Sequence, residues 1–329
     1  MKRPLLVFAG QSNMMGAAVY PASRQINYKD SFEYLHKPRR FGAALGEFKK
    51  YAYPTGEFSY KDISAAYPTG DPSEKSTLND YGANTHFCPA MSNLDSDEKK
   101  TEKPFGAYSE SEFNFGATLA PFVVEELEKS GCFVAYAHIA KGGVPISHYI
   151  SGESADYFDL KVRDFFADSE VLFAEDDTTD RVLIWLQGES DASMGYEYYM
   201  GALGELWNRA KGLGFNKFFI VRVGYWGNPG IADVMRAQED FAARCDSVYM
   251  ITRALSYFAI SGDAPEGWFK TPPTEEFCLC RDSFFGFGNN HINERGFSVI
   301  AKHAVPNIIR IIYEGKEPVL EEENVTAIM

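Results

Sequence analysis

The stretch LLVFAGQSNMMG, residues 5–16, decides how this chain is read. An apolar run, Leu5 to Ala9, ends at Gly10 and passes at once into Gln11-Ser12-Asn13. Lys2 and Arg3 precede it, but the run is shorter than the roughly 7–15 apolar residues at the heart of a leader peptide, and no small-x-small cleavage pattern follows. A short, continuously apolar run closed by a glycine turn is the pattern of a buried strand in a parallel sheet. Open α/β sheets bind their ligands beyond the carboxyl ends of such strands. Ser12 is thereby a candidate nucleophile; its plainer reading is a turn or N-cap serine.

Outward from that stretch, strands and helices alternate. NFGATLAPFVVEELEKSG (114–131) reads as an amphipathic helix closed by Gly131, and CFVAYAHIA (132–140) as a buried strand leading to KGGVP. RVLIWL (181–186) is a strand that ends at QGESD, and residues 196–213 place Tyr199, Leu203, Leu206 and Ala210 at helical spacing. A strand (KFFIVRVG), a helix (IADVMRAQEDFAARC) and another strand (SVYMITRAL) follow. ERGFSVIAKHAVPNIIRIIYEG is a helix or helix pair, with a kink or break expected at Pro306. This alternation predicts βαβ units and a three-layer α/β/α sandwich on a parallel sheet. No linker divides the chain, so residues 1–313 are expected to form one domain. Residues 314–329 read as a loose acidic tail.

Composition narrows the partners. The 329-residue chain is 45% hydrophobic and 24% charged, ordinary values for a folded domain. A formal net charge of −14, with no basic cluster beyond short pairs such as Arg39-Arg40 and Lys99-Lys100, makes nucleic acid and anionic membrane poor partners. No run of about 18 apolar residues exists, so no membrane span is expected. Five cysteines, an odd number in a long chain, suggest reduced thiols and a cytoplasmic setting. Cys278 and Cys280 have no second Cys or His pair at metal spacing, so neither a metal nor another cofactor is expected. The region from about 20 to 110 shows no sustained period. It carries Tyr-Pro-Thr-Gly twice, at 53–56 and 67–70, and reads as a long irregular insertion. Its aromatic residues suit stacking on a sugar and equally suit covering the core.

Three strand ends now line up: Gly10-Gln11-Ser12-Asn13, Lys141-Gly142-Gly143, and Gln187-Gly188-Glu189-Ser190-Asp191. Late in the chain His291 stands in FGFGNNHINERGF, just before the last helix. Acyl transfer needs a nucleophile, a base, a group that orients the base, and donors for the oxyanion. Ser12 and His291 can fill the first two roles. The N–H groups of Ser12 and Gly143 and the amide of Gln187 can form the oxyanion hole.

These motifs together resemble the SGNH hydrolase superfamily, and within it the carbohydrate-esterase branch of sialate O-acetylesterases and family 6 acetylxylan esterases. VMRAQEDFA (234–242), with Arg236 and Gln238, resembles the Arg-x-x-Gln-type helix of that branch. The resemblance covers residues 5–16 and roughly 114–313. It implies a flavodoxin-like α/β/α fold and a metal-independent serine esterase acting on a small acetylated carbohydrate. Met14 takes the place of the second glycine of a Gly-x-Ser-x-Gly elbow, so the pattern is not that of an α/β-hydrolase. Gln11, Asn13 and His148 are the expected substrate-binding residues; Asn13 also reads as fixing the turn around the nucleophile through side-chain-to-backbone hydrogen bonds, or as a turn residue only. His138, in an apolar strand, reads as a hydrogen-bonded core residue.

One position departs from the family. Its aspartate, three residues before the catalytic histidine, is replaced by Gly288. Glu189, Asp191 and Asp282 are the candidate substitutes, with a backbone carbonyl as a fourth possibility. Glu189 is preferred because it ends a strand aimed at the same cleft; Asp191 reads equally as an N-cap of the next helix. The rival functions are a lipase or thioesterase on short acyl chains, and a non-catalytic carbohydrate-binding protein on an esterase scaffold. Neither the sugar nor the oligomeric state follows from the sequence.

Overall fold

Residues 5–10 have no polar side chain among them, and Leu5–Gly10 forms β1 with every residue buried. In the computed structural model, which describes residues 1–15, 26–36, 46–52, 118–224, 230–255, 292 and 294–321, β1 lies inside a seven-stranded sheet. Its neighbours are β6 (Ala135–Ala140) and β7 (Arg181–Leu186), both parallel to it. The register brings Gly10 level with Ala140 on one side and Leu186 on the other. The segments that follow these strands therefore emerge side by side at the carboxyl edge.

The sheet order is β4-β3-β6-β1-β7-β8-β9, with β3 at Phe32–His36, β4 at Gly46–Lys49, β8 at Lys217–Val221 and β9 at Val248–Thr252. Only β4, at one edge, is antiparallel to its neighbour. After β1 the chain moves to one side, to β3; after β7 it moves to the other, to β8. The boundary between β1 and β7 is thus a topological switch point, where a crevice opens at the carboxyl ends. A small antiparallel pair, β2 (Ile26–Asn27) and β5 (Tyr51–Ala52), stands apart from the sheet.

Helices cover both faces, giving the expected α/β sandwich on a mostly parallel sheet. They are α1 (Ser12–Met15), α2 (Leu119–Lys129), α3 (Gly152–Leu172), α4 (Tyr196–Gly212), α5 (Ile231–Arg244) and α6 (Glu294–Ile312). α2 packs on α6 and α4 on α5, while α3 crosses β1, β3 and β6. Apolar side chains at helical spacing drive this: Val234, Met235, Ala237 and Phe241 of α5 are buried, with charged residues between them.

Three details differ from the sequence reading, and one decides a choice it left open. β3 and β4, with the β2–β5 pair, fall inside the stretch expected to be irregular. β3 was hidden because Glu33, buried within it, breaks the apolar run; residues 53–117 lie outside the described residues. α3, at 21 residues, escaped because Asp159, Lys161, Asp164 and Ser169 are buried on it and blur the 3.6-residue period. Of the two forms expected for the last segment, a helix or a helix pair, α6 is the first, running through Pro306 as one helix. Its apolar face, from Phe297 through Ile300, Ala304 and Ile308, is buried, and Asn307 donates to Ile251 O and Val319 O. The tail is not loose up to residue 321. Glu321 accepts from Thr252 Oγ1 at 2.6 Å and Arg253 N at 2.8 Å, which ties it to the end of β9.

Candidate active site

The turn after β1 is fixed by a close approach. A Cβ on Gly10 would lie 1.9 Å from Leu186 O, and its φ of +151° suits glycine alone, so the strand end presses directly on β7. Gln11 N donates to Leu186 O at 3.1 Å and Met14 N to Gln11 O at 2.8 Å. Gln11 and Asn13 are buried, while Ser12 between them, the first residue of α1, is partly exposed at the crevice.

Asn13 joins three parts of the chain. Its Nδ2 donates to Glu189 Oε1 at 2.9 Å, and its Oδ1 accepts from Ile292 N at 3.1 Å. An amide does both at once because one end donates and the other accepts. The Asn13 side chain is thus engaged with the β7 end and with the residue that follows His291 in sequence. Glu189 begins a short 3-10 turn after β7. Its other oxygen, Oε2, is buried and has no hydrogen-bond partner among the described residues. Burial pushes the carboxyl above the ordinary glutamate value, and the Asn13 bond acts against that shift. A buried carboxylate oxygen with no donor is an acceptor held ready for one. His291, Asp282 and Gly288 lie outside the described residues.

Gln187 does not supply an oxyanion donor. The residue is 0% exposed, and its Nε2 lies 3.1 Å from Val144 O, 3.3 Å from Gln11 Oε1 and within hydrogen-bond distance of Asp191 Oδ2. Two amide hydrogens facing three protein acceptors leave none for a ligand. Its Oε1 accepts from Tyr199 O–H at 3.0 Å. Gln11 likewise faces inward: its Oε1 accepts from Ser190 N at 3.2 Å, so the side chain braces the 187–191 turn. Asp191 is not the cap of α4, a place taken by Gly195. It is buried, and its Oδ2 accepts from Ile146 N at 2.9 Å.

Sequence reasoning missed the role of Tyr199, which it took only as an apolar position of a helix. Its hydroxyl donates to Gln187 O at 2.7 Å and accepts from Trp185 Nε1 at 3.3 Å. Gln238 was noticed through its motif. It donates to Gln187 O at 2.9 Å and accepts from Val223 N at 3.0 Å, bolting α5 to the ends of β7 and β8. Arg236 pairs with Asp233 at 2.7 Å.

Gly143 follows β6, is exposed, and has a φ of +70°, so its backbone turns into the left-handed region at the rim of the crevice. His148 lies in the 3-10 turn Ile146–Tyr149 that follows. Burial, assisted by the nearby Lys141 ammonium, pushes its imidazole down to about 3 from 6.5. The ring is therefore neutral at physiological pH. Between those two values the unfolded chain holds a proton that the folded chain does not, so stability falls as pH drops through the window. Replacing it by His148→Gln should remove that sensitivity. Urea midpoints at pH 7 and pH 4 should shift relative to wild type in the variant's favour at the lower pH. A pH-independent difference would mean that the imidazole titrates freely.

Among the described residues no cluster of His, Cys, Asp and Glu could hold a metal ion, no helix is long and apolar enough to cross a membrane, and Cys132 and Cys245 are free thiols. His138 is buried in β6, as a core residue should be.

The fold is an α/β sandwich in which Ser12 follows β1 and Glu189, bonded to the neighbouring Asn13, follows β7, at a sheet switch point. No family model and no curated protein matches the sequence. Among solved structures the chain is similar to NanS, at 11% identity and a TM-score of 0.51, over 95% of this chain and 98% of that one. It is also similar to a protein from Arabidopsis thaliana, at 14% identity and a TM-score of 0.46, over 93% and 97% of the two chains. A third similar structure is a carbohydrate acetylesterase from Xanthomonas citri, at 12% identity and a TM-score of 0.43, over 95% of this chain and 56% of that one. At such identity the likeness to NanS is one of fold.

Proposed function

We propose that this protein is a serine esterase that removes acetyl groups from a small carbohydrate. The observation that carries the reading is the placement, at adjoining strand ends, of Ser12, partly exposed after β1, and Glu189, whose buried Oε2 has no donor among the described residues. The Gly-Gln-Ser-Asn and Gln-Gly-Glu-Ser-Asp motifs that resemble the SGNH carbohydrate esterases supply the chemistry.

In this reading Ser12 Oγ attacks the ester carbonyl while His291 takes its proton. Glu189 Oε2 accepts the other ring N–H of His291 and stabilises the imidazolium, the part an aspartate has in serine triads. The tetrahedral oxyanion is held by the backbone N–H groups of Ser12 and Gly143. Collapse breaks the bond to the sugar oxygen, which leaves with the proton from His291. Water then attacks the acetyl-enzyme by the same route, and acetate is released.

The neutral His148 imidazole, beside the Gly143 rim, suits hydrogen bonding to sugar hydroxyls, since it offers one donor or acceptor without a charge. A panel of acetylated xylan oligomers, acetylated sialic acids and p-nitrophenyl esters of increasing chain length tests the substrate class. Acetyl esters should be turned over, with activity falling steeply beyond about four carbons, because a pocket that fits a short acyl group gains nothing from further methylenes. Preference for long chains would overturn the carbohydrate assignment in favour of a lipase or thioesterase. No turnover of any ester would favour a binding protein.

A further inference from the structure

We infer that Gln187 and Asp191 are positioning residues for the oxyanion hole: together they clamp the segment after β6 so that the Gly143 N–H is held toward Ser12. The inference rests on the esterase reading above and reassigns Gln187 from a contact with substrate to a contact with the loop that makes it.

The segment 141–149 is pinned at four points. At its start Lys141 N donates to Gly10 O at 3.0 Å, and near its end Tyr149 O–H donates to the same carbonyl at 2.5 Å. Between them, Val144 O accepts from Gln187 Nε2 and Ile146 N donates to Asp191 Oδ2. Pro145, which has no N–H and a φ of −72°, separates these two anchors and stiffens the peptide between them. Gly143 directly precedes the pinned stretch and is exposed.

The clamp crosses the sheet. Gln187 and Asp191 follow β7, Gly143 follows β6, and β1 with its serine runs between. Its two side chains are joined to each other, since Asp191 Oδ2 accepts from both Gln187 Nε2 and Ile146 N. Tyr199 O–H and Gln238 Nε2 hold Gln187 from the far side, through its Oε1 and its backbone carbonyl. Asp191 is a fully buried carboxylate whose Oδ1 has no partner among the described residues, and burial raises its pKa. A charge in so costly a place is explained by the geometry it enforces, because a carboxylate oxygen accepts two strong hydrogen bonds at once.

Two readouts test this. The first is amide hydrogen exchange of residues 143–149, which does not depend on turnover. Gln187→Met and Asp191→Leu should both accelerate it, whereas protection equal to wild type in both would overturn the clamp. The second is kinetic. Each variant should lower kcat about 10²-fold with KM little changed, the scale of losing one oxyanion donor. Because the two side chains act as one unit, the double variant should be no slower than either single one. Asp191→Asn, which keeps an acceptor for both donors, should recover most of the loss seen in Asp191→Leu.

If Gln187 acts on substrate itself, Gln187→Met is slow while Asp191→Leu keeps near wild-type kcat, or the two losses multiply; either result overturns the proposal. Should Asp191→Leu not fold, Gln187→Met and Asp191→Asn still decide through exchange, the first accelerated and the second close to wild type. Failure of the esterase reading is recognised separately: wild type then hydrolyses no ester at all, whatever the exchange shows.

Discussion

Ser12→Ala is expected to abolish ester turnover, lowering kcat on the order of 10⁴–10⁶-fold while the fold is retained. The fold should survive because the hydrogen bonds of this turn belong to the neighbours. Gln11 bonds to the β7 end through its backbone and side chain, and Asn13 reaches Glu189 and Ile292. Removing one hydroxyl from a partly exposed position disturbs none of these. Among the described residues the other serines near this strand end are poorly placed to take over: Ser190 and Ser193 are exposed beyond β7, and the Ser190 N–H is held by Gln11. Steady-state kinetics on an acetyl ester, with circular dichroism and melting temperature as controls for folding, reads the effect. A variant that keeps more than a tenth of wild-type kcat would remove Ser12 from the chemistry.

Glu189→Gln is expected to lower kcat roughly 10²–10⁴-fold with KM little changed, the cost of losing a triad acid. The reason lies in the two carboxylate oxygens. Oε1 is fixed by the Asn13 amide at 2.9 Å, and a glutamine carbonyl accepts the same bond. The glutamine NH₂ then falls at the Oε2 position, turning an acceptor into a donor and removing the charge that stabilises an imidazolium. Protonating Glu189 in the wild type does the same. Because burial raises its pKa, activity should be lost toward acid as Glu189 takes up a proton, and regained as pH rises through its raised pKa. The variant should be slow across the whole range. A Glu189→Gln enzyme within about fivefold of wild type at neutral pH would assign the orienting role elsewhere, with Asp282 or a backbone carbonyl next in turn.

What the sequence made legible follows from which interactions are local. β1, β6 and β7 announce themselves as apolar runs because both faces of a central parallel strand are buried, and the glycine after β1 marks where its backbone meets β7. Once these three strands are placed, their ends and the residues following them are placed too. The polar contacts at that edge are not local. Gln187 looked like a donor aimed at substrate because a glutamine after a strand end has two free N–H groups in the sequence. Only the fold shows that Val144 and Asp191, 43 residues before it and four after, engage them. Asp191 read as a cap or a triad acid for the same reason, and Asn13 as a turn residue or a substrate contact, with no sign in the sequence of their partners at Ile146 and Glu189.

α3 and β3 were missed from the opposite cause. Buried Lys161, Asp159 and Asp164 in the one, and Glu33 in the other, interrupt patterns that depend on apolar residues recurring at fixed intervals. Asp159, for one, accepts from Arg209 Nε at 2.8 Å, a partner fifty residues on that no short window of sequence contains.

Ser12 should react as a nucleophile activated at the β1–β7 switch point. Incubation of the wild-type protein with a serine-directed fluorophosphonate, followed by peptide mass mapping, measures this without assuming any substrate. The expected result is one stoichiometric phosphonyl adduct on the peptide carrying Ser12, with labelling lost in Ser12→Ala and slowed in Glu189→Gln. Adducts on Ser190 or Ser193, or no adduct while the protein stays folded, would contradict it.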